Sequence, residues 1–146
     1  MSIPPAFPGL RLPERIVLEA WLAKHSAEFG RFDHNVALGP GHDPGPTFPD
    51  NIRQMSMQNS KRKVDVVAWV GERPTLIEVK ERATPSAIGQ LLTYAHLWEQ
   101  ETVYTGTPNL KIICARVSPG VIEAAQKVGI SVEIVVADFS SVVGRV

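Results

Sequence analysis

Lys63-Val64-Asp65-Val66-Val67-Ala68-Trp69-Val70, followed by Gly71-Glu72-Arg73-Pro74 and then Thr75-Leu76-Ile77-Glu78-Val79-Lys80, is the stretch that decides the fold. Both arms are rich in β-branched and apolar residues, the composition of strands. The segment between them is turn chemistry. The stretch therefore reads as a β-hairpin.

Outward from the hairpin, Thr84 and Pro85 open a helix that runs to about residue 101, with Ile88, Leu91, Leu92, Ala95 and Trp98 on its buried side. Leu110 to Ala115 is a short apolar strand. Ser118-Pro119 opens a second helix ending at Gly129, and Ile130 to Val136 is a last strand. Upstream, residues 13-29 read as a helix with Pro13 and Glu14 at its start and Gly30 past its end. Its apolar stripe is Ile16, Val17, Ala20, Trp21 and Ala23. Residues 32-38 read as a strand, and residues 50-59 fit no single period. The fold expected is α/β, a mixed sheet flanked by helices, in the order α-β-β-β-α-β plus a further helix and strand.

Eight of the 12 prolines precede residue 50. They mark residues 1-12 as an extended arm and residues 39-50 as a Gly/Pro-rich loop, leaving 13-146 as a single domain. At 146 residues the chain is long enough for one core. Its 15 Lys+Arg balance 15 Asp+Glu, which excludes a polycation that grips nucleic acid through its whole field. One cysteine excludes a disulfide framework and a four-cysteine zinc or iron–sulfur site; Cys114 lies in an apolar strand and reads as an inert buried thiol. No apolar run is long enough for a membrane span, and Met1 to Pro5 has no signal-peptide character. The expectation is a soluble cytoplasmic protein, or a virion-associated one if phage-encoded.

Three charged residues, Asp65, Glu78 and Lys80, fall where the hairpin is otherwise apolar. With residues 71-74 as the loop, Val70 pairs with Thr75. Asp65 then lies opposite Lys80 with Glu78 diagonal to it, all on one face. Two carboxylates and an amine at one point can hold a hard divalent cation through oxygen, with the Val79 carbonyl as a further ligand. Lys80 can orient or deprotonate a water there, the toolkit of phosphodiester hydrolysis. The alternative is a salt-bridged strand face in solvent, which contributes little. Three features favour the site. The flanks are apolar, so charges there need partners. Gln90 and Tyr94 share a helix face at i, i+4. Glu19, on the first helix, is a candidate third carboxylate.

The series Glu19, Val64-Asp65, Glu78-Val79-Lys80 and Gln90-Leu91-Leu92-Thr93-Tyr94 resembles the PD-(D/E)XK nuclease superfamily, in particular its branch with a Gln-x-x-x-Tyr helix motif, the RecB-like and phage-type nucleases. The resemblance spans roughly residues 13-136. It implies a restriction-endonuclease-like sheet and cleavage of DNA dependent on Mg2+ or Mn2+. Asp65 and Glu78 would be metal ligands, Lys80 the water-activating group, and Gln90 and Tyr94 supports of the site or contacts to the backbone of the nucleic acid. Val64 stands where a proline is found in the family motif.

Lys61, Arg62, Lys63 and Arg82 flank the acidic pair as phosphate contacts or as a solvated edge. The four histidines show no ligand spacing, and Trp21, Trp69 and Trp98 are spaced as core residues. Three functions follow: a metal-dependent deoxyribonuclease acting on DNA; a structural protein, such as a phage particle component, docking on assembly partners or on copies of itself; and a metal-free binding module in which the hairpin charges merely pair.

Overall fold

Valine and isoleucine leave few backbone conformations but extended ones, and the hairpin arms form two long strands for that reason. The computed structural model describes residue 7, residues 9–101 and residues 107–140. In chain order its elements are α1 (Leu12–His25), β1 (Arg31–Leu38), α2 (Asp50–Asn59), β2 (Arg62–Val70), β3 (Arg73–Ala83), α3 (Pro85–Glu101), β4 (Asn109–Val117), α4 (Val121–Lys127) and β5 (Ile130–Ile134). The strands make one five-stranded sheet in sequence order. β1, β2 and β3 pair antiparallel; β4 and β5 join in parallel. Parallel pairing of β3 with β4 requires a crossover, which α3 supplies.

The α/β fold with a mixed sheet and helices on its faces is the architecture read from the sequence, in the expected element order with α2 inserted. Helix α1 covers one face through Val17, Leu18 and Trp21, which pack with Val66, Ala68, Ile77, Val79 and Ile113. Helices α3 and α4 cover the other, where Leu91, Tyr94, Trp98 and Val121 pack with Val67, Leu76, Ile112 and Cys114. All three tryptophans and Cys114 are buried as expected.

Several boundaries and faces differ from the sequence reading. Helix α1 ends at His25 and the chain tightens into a 3-10 turn, Ser26–Glu28, so residues 13-29 are not one helix. Ala23 is exposed and Leu18 is core, because the buried stripe follows Glu14, Val17, Leu18 and Trp21. Leu92 is exposed; Tyr94 takes the interior position. Helix α4 is only seven residues, opened by Gly120 at φ +81° rather than by Ser118-Pro119. β5 stops at Ile134. The ambiguous residues 50-59 are helical, although α2 buries none of its residues.

The arm's residues 1–6 and 8 lie outside the described residues. Phe7 stacks on His34 of β1, ring centroids 4.9 Å apart. Among the described residues no helix is long and apolar enough to cross a membrane.

Candidate functional site

The hairpin closes over two residues, not four. Val70 pairs with Arg73 across Gly71-Glu72, with Gly71 at φ +60°, and the ladder continues to Val66↔Ile77. Relative to the expected Val70–Thr75 pairing this moves β3 by two positions along β2. An even shift preserves faces, so Asp65 and Glu78 still meet, but Glu78 rather than Lys80 becomes the residue across from Asp65.

Asp65 lies one step past the last β2–β3 pair. Its Oδ2 accepts the Val79 N–H at 2.8 Å, so a carboxylate stands where a strand carbonyl would. The same position is irregular toward β1. The β1–β2 register passes from His34↔Val66 to Val36↔Val64 without an Asn35–Asp65 pair, and Asn35 has φ +52°. Asparagine is among the few residues that adopt this left-handed conformation readily. Side-chain alternation inverts there in both strands: Phe32 and Val66 lie on the α1 side, Val36 and Val64 on the α3 side. Gly9 makes room for the kink, since a Cβ on it would stand 2.6 Å from the Asn35 Oδ1.

Glu78, between Ile77 and Val79 of the α1 face, points with Leu76 toward α3. It is 2% exposed. It lies across the strand pair from Asp65, one step past the Val66↔Ile77 pair. Burial, then Asp65, push Glu78 up to about 9. Burial also raises Asp65, against the opposing pull of Glu78 and the Val79 N–H. Glu78 is therefore protonated at neutral pH. Lys80 Nζ stands 3.6 Å from Glu78 Oε2. Tyr94, 5% exposed on α3, is raised by burial and then by the negative charges of Glu78 and Asp65, while Arg62 opposes them. Asp65, Glu78, Lys80 and Tyr94 thus form one cluster, and Val79 contributes its N–H. Gln90 lies one turn before Tyr94 on α3, its Oε1 buried and without a hydrogen-bond partner among the described residues.

Glu19 is not part of this cluster; it is exposed on α1. The α1 carboxylate whose charge reaches Asp65 is Glu14, 8% exposed and held by Arg11 through bonds of 2.9 and 3.3 Å. Helical phase could have identified it. Glu14 shares the stripe of Val17, Leu18 and Trp21, and Glu19 does not. Among the described residues no three His, Cys, Asp or Glu side chains converge as a metal-binding group. Lys61 is half-buried; Arg62, Lys63 and Arg82 are exposed. None of the four is in an ion pair among the described residues.

The donor set suits magnesium or manganese in one respect that can be checked. Asp65 and Glu78 lie across from each other at the end of the β2–β3 ladder, and Mg2+ is commonly held by one or two carboxylates with water and substrate oxygens completing its shell.

No protein-family model and no curated protein matches the chain. Among solved structures it is similar to AF1548, a protein of unknown function, at 16% identity and a TM-score of 0.48. The likeness covers 84% of this chain and 57% of that one, so the chain spans little more than half the length of its structural neighbour.

Proposed function

We propose that the chain is a metal-dependent deoxyribonuclease whose site is built on Asp65, Glu78 and Lys80. The observation that carries this reading is the burial of the Glu78 carboxyl across from Asp65, whose Oδ2 is held by the Val79 N–H, with the Lys80 ammonium 3.6 Å from Glu78. Burying two carboxyls against each other is costly unless a proton or a cation lies between them. A salt-bridged surface hairpin does not bury Glu78 to 2% exposure.

Asp65 and Glu78 would hold Mg2+ or Mn2+, which when bound lowers the pKa of water and neutralises charge on a phosphate. The chain's own groups supply the rest. The Val79 N–H fixes the rotamer of Asp65. Lys80, on the same strand face as Glu78, orients a water toward the phosphate. Tyr94 closes the α3 side against solvent. Arg62, Lys63 and Arg82 offer cations for the phosphates of the bound strand.

Cleavage of supercoiled, linear, single-stranded and branched DNA tests the reading. Cleavage with Mg2+ or Mn2+ and none with EDTA is expected. Asp65→Asn and Lys80→Ala should each reduce it at least about 100-fold, with melting temperatures near that of the parent. A second reading, an assembly protein on a nuclease-like fold, draws on the balance of 15 basic and 15 acidic residues. Absence of cleavage on all four DNA forms with either metal would favour it.

A further inference from the structure

Segment 39–49 and α2 form a unit beside the sheet with a chemistry of its own. α2 buries no residue, so packing does not explain its position. Polar ties hold it. Arg53 grips Asp43 through bonds of 3.0 and 2.6 Å. Ser60 Oγ accepts the His42 N–H at 2.5 Å, and Ser56 Oγ donates to the His42 carbonyl at 3.2 Å. Gly41, at φ +74°, lies so close to α2 that a Cβ would stand 1.8 Å from the Met57 carbonyl oxygen. The Gly39 N–H donates to Glu101 Oε2 of α3 at 2.8 Å.

These ties frame a cleft of about 470 Å3, within the range of small-ligand sites. Gln54 and Gln58, at i and i+4 on α2, line it together with Met57, Lys61, Pro40 and Glu101, whose carboxylate is engaged by the Gly39 N–H. Both glutamines are exposed, and neither side chain makes a hydrogen bond among the described residues. Amide groups pair with the edges of nucleobases because each carries a donor beside an acceptor. A thioether and a proline ring suit the flat face of a base. Lys61 suits its phosphate.

The cleft and the proposed site are connected through α3 and the start of β2. Lys61 precedes Arg62, whose charge reaches Tyr94. Tyr94 and Glu101 lie seven residues apart on α3, about 10 Å along the helix axis.

We propose that this cleft is a subsite for one unpaired nucleobase of the DNA strand presented to Asp65 and Glu78. The substrate class that follows is single-stranded, frayed or flapped DNA, because a base within a duplex cannot enter without the cost of unstacking. The proposal rests on the nuclease reading for the identity of the strand. The test separates the two.

Of the three methionines, Met57 lines the cleft and Met55 is exposed outside it, so 13C-methyl methionine NMR has a probe and a control in one chain. The full chain is titrated in EDTA with each deoxynucleoside 5′-monophosphate and, separately, with deoxyribose 5-phosphate. The Met57 signal should move saturably with nucleotides and far less with the sugar phosphate, while Met55 stays. The double variant Gln54→Ala/Gln58→Ala should weaken this binding about tenfold; alanine favours the helix, so α2 is retained. A Met57 signal that does not move, or moves equally with the sugar phosphate, overturns the base subsite. Nucleotide binding without cleavage of any DNA keeps the subsite and ends the nuclease reading. Cleavage with a silent Met57 does the reverse.

Discussion

Glu78 carries the electrostatic burden of the site. Its folded value of about 9, against an ordinary 4.5, means that it stays protonated in the native state across neutral pH. Below 4.5 both folded and unfolded chains hold this proton, and it costs nothing. Between 4.5 and about 9 only the folded chain holds it, so stability falls as pH rises, with a slope approaching about 1.4 kcal/mol per pH unit. Above 9 the loss is complete. In EDTA, thermal melts from pH 5 to 9 should therefore show a steeper decline for the parent than for Glu78→Gln, which should melt higher at pH 8.5. Equal slopes would remove the account of a protonated Glu78. Glu14→Gln removes a negative charge felt at Asp65 and should lower the apparent pKa of the pair, read as a shift of the same melting profile to lower pH. Both acids of the pair were legible in the sequence because charge inside an apolar strand is conspicuous. Glu14 was not, because beside Glu19 only the helical phase distinguishes them.

The kink at Asn35 and Asp65 shows how one residue sets the geometry of two strands. Asn35→Gly should be tolerated, since glycine adopts positive φ freely, whereas Asn35→Ala should cost about 1–2 kcal/mol. Chemical denaturation of both variants measures the difference. At the far end of α1, His25 bridges Glu28 at 2.5 Å and Glu133 of β5 at 2.7 Å, and Glu133 also takes Trp21 Nε1 and Lys111 Nζ. The Glu28 bond, then that to Glu133, raises His25 against its partial desolvation. A raised histidine stabilises the fold below its ordinary 6.5, and the effect is lost as pH climbs through the raised value. His25→Gln should thus be less stable than the parent at pH 5.5, with the gap closing by pH 9. The long strands and α3 were readable from composition and caps. α2 was not, because its helix is held by Arg53, Ser56 and Ser60 reaching to a loop, and no apolar period in its own residues announces it. The strand register was missed for a different reason. Arg73-Pro74 looks like turn sequence, yet both residues already belong to β3.

Across the molecule, two apolar layers hold one sheet, and the acidic pair sits where β2 parts from β3 between them. Leu91, fully buried on α3, is a measure of that packing; Leu91→Ala should cost about 2–5 kcal/mol. A cation bound by the folded chain alone adds stability by mass action, about 2.7 kcal/mol at a hundredfold excess over its dissociation constant. At pH 8, Mn2+ should accordingly raise the melting temperature of the parent and leave Asp65→Asn where it was.

Asp65 and Glu78 belong to one hairpin, and its tip is the exposed dipeptide Gly71-Glu72, far from any charge they feel. Because side chains alternate at every step, the length of that tip selects which of the two helical layers Glu78 meets. A single amino acid inserted there and taken up by the ladder instead of by the bend would carry the carboxyl through the sheet to the α1 side. The chemistry of the interior is thus keyed to the count of residues in a surface bend.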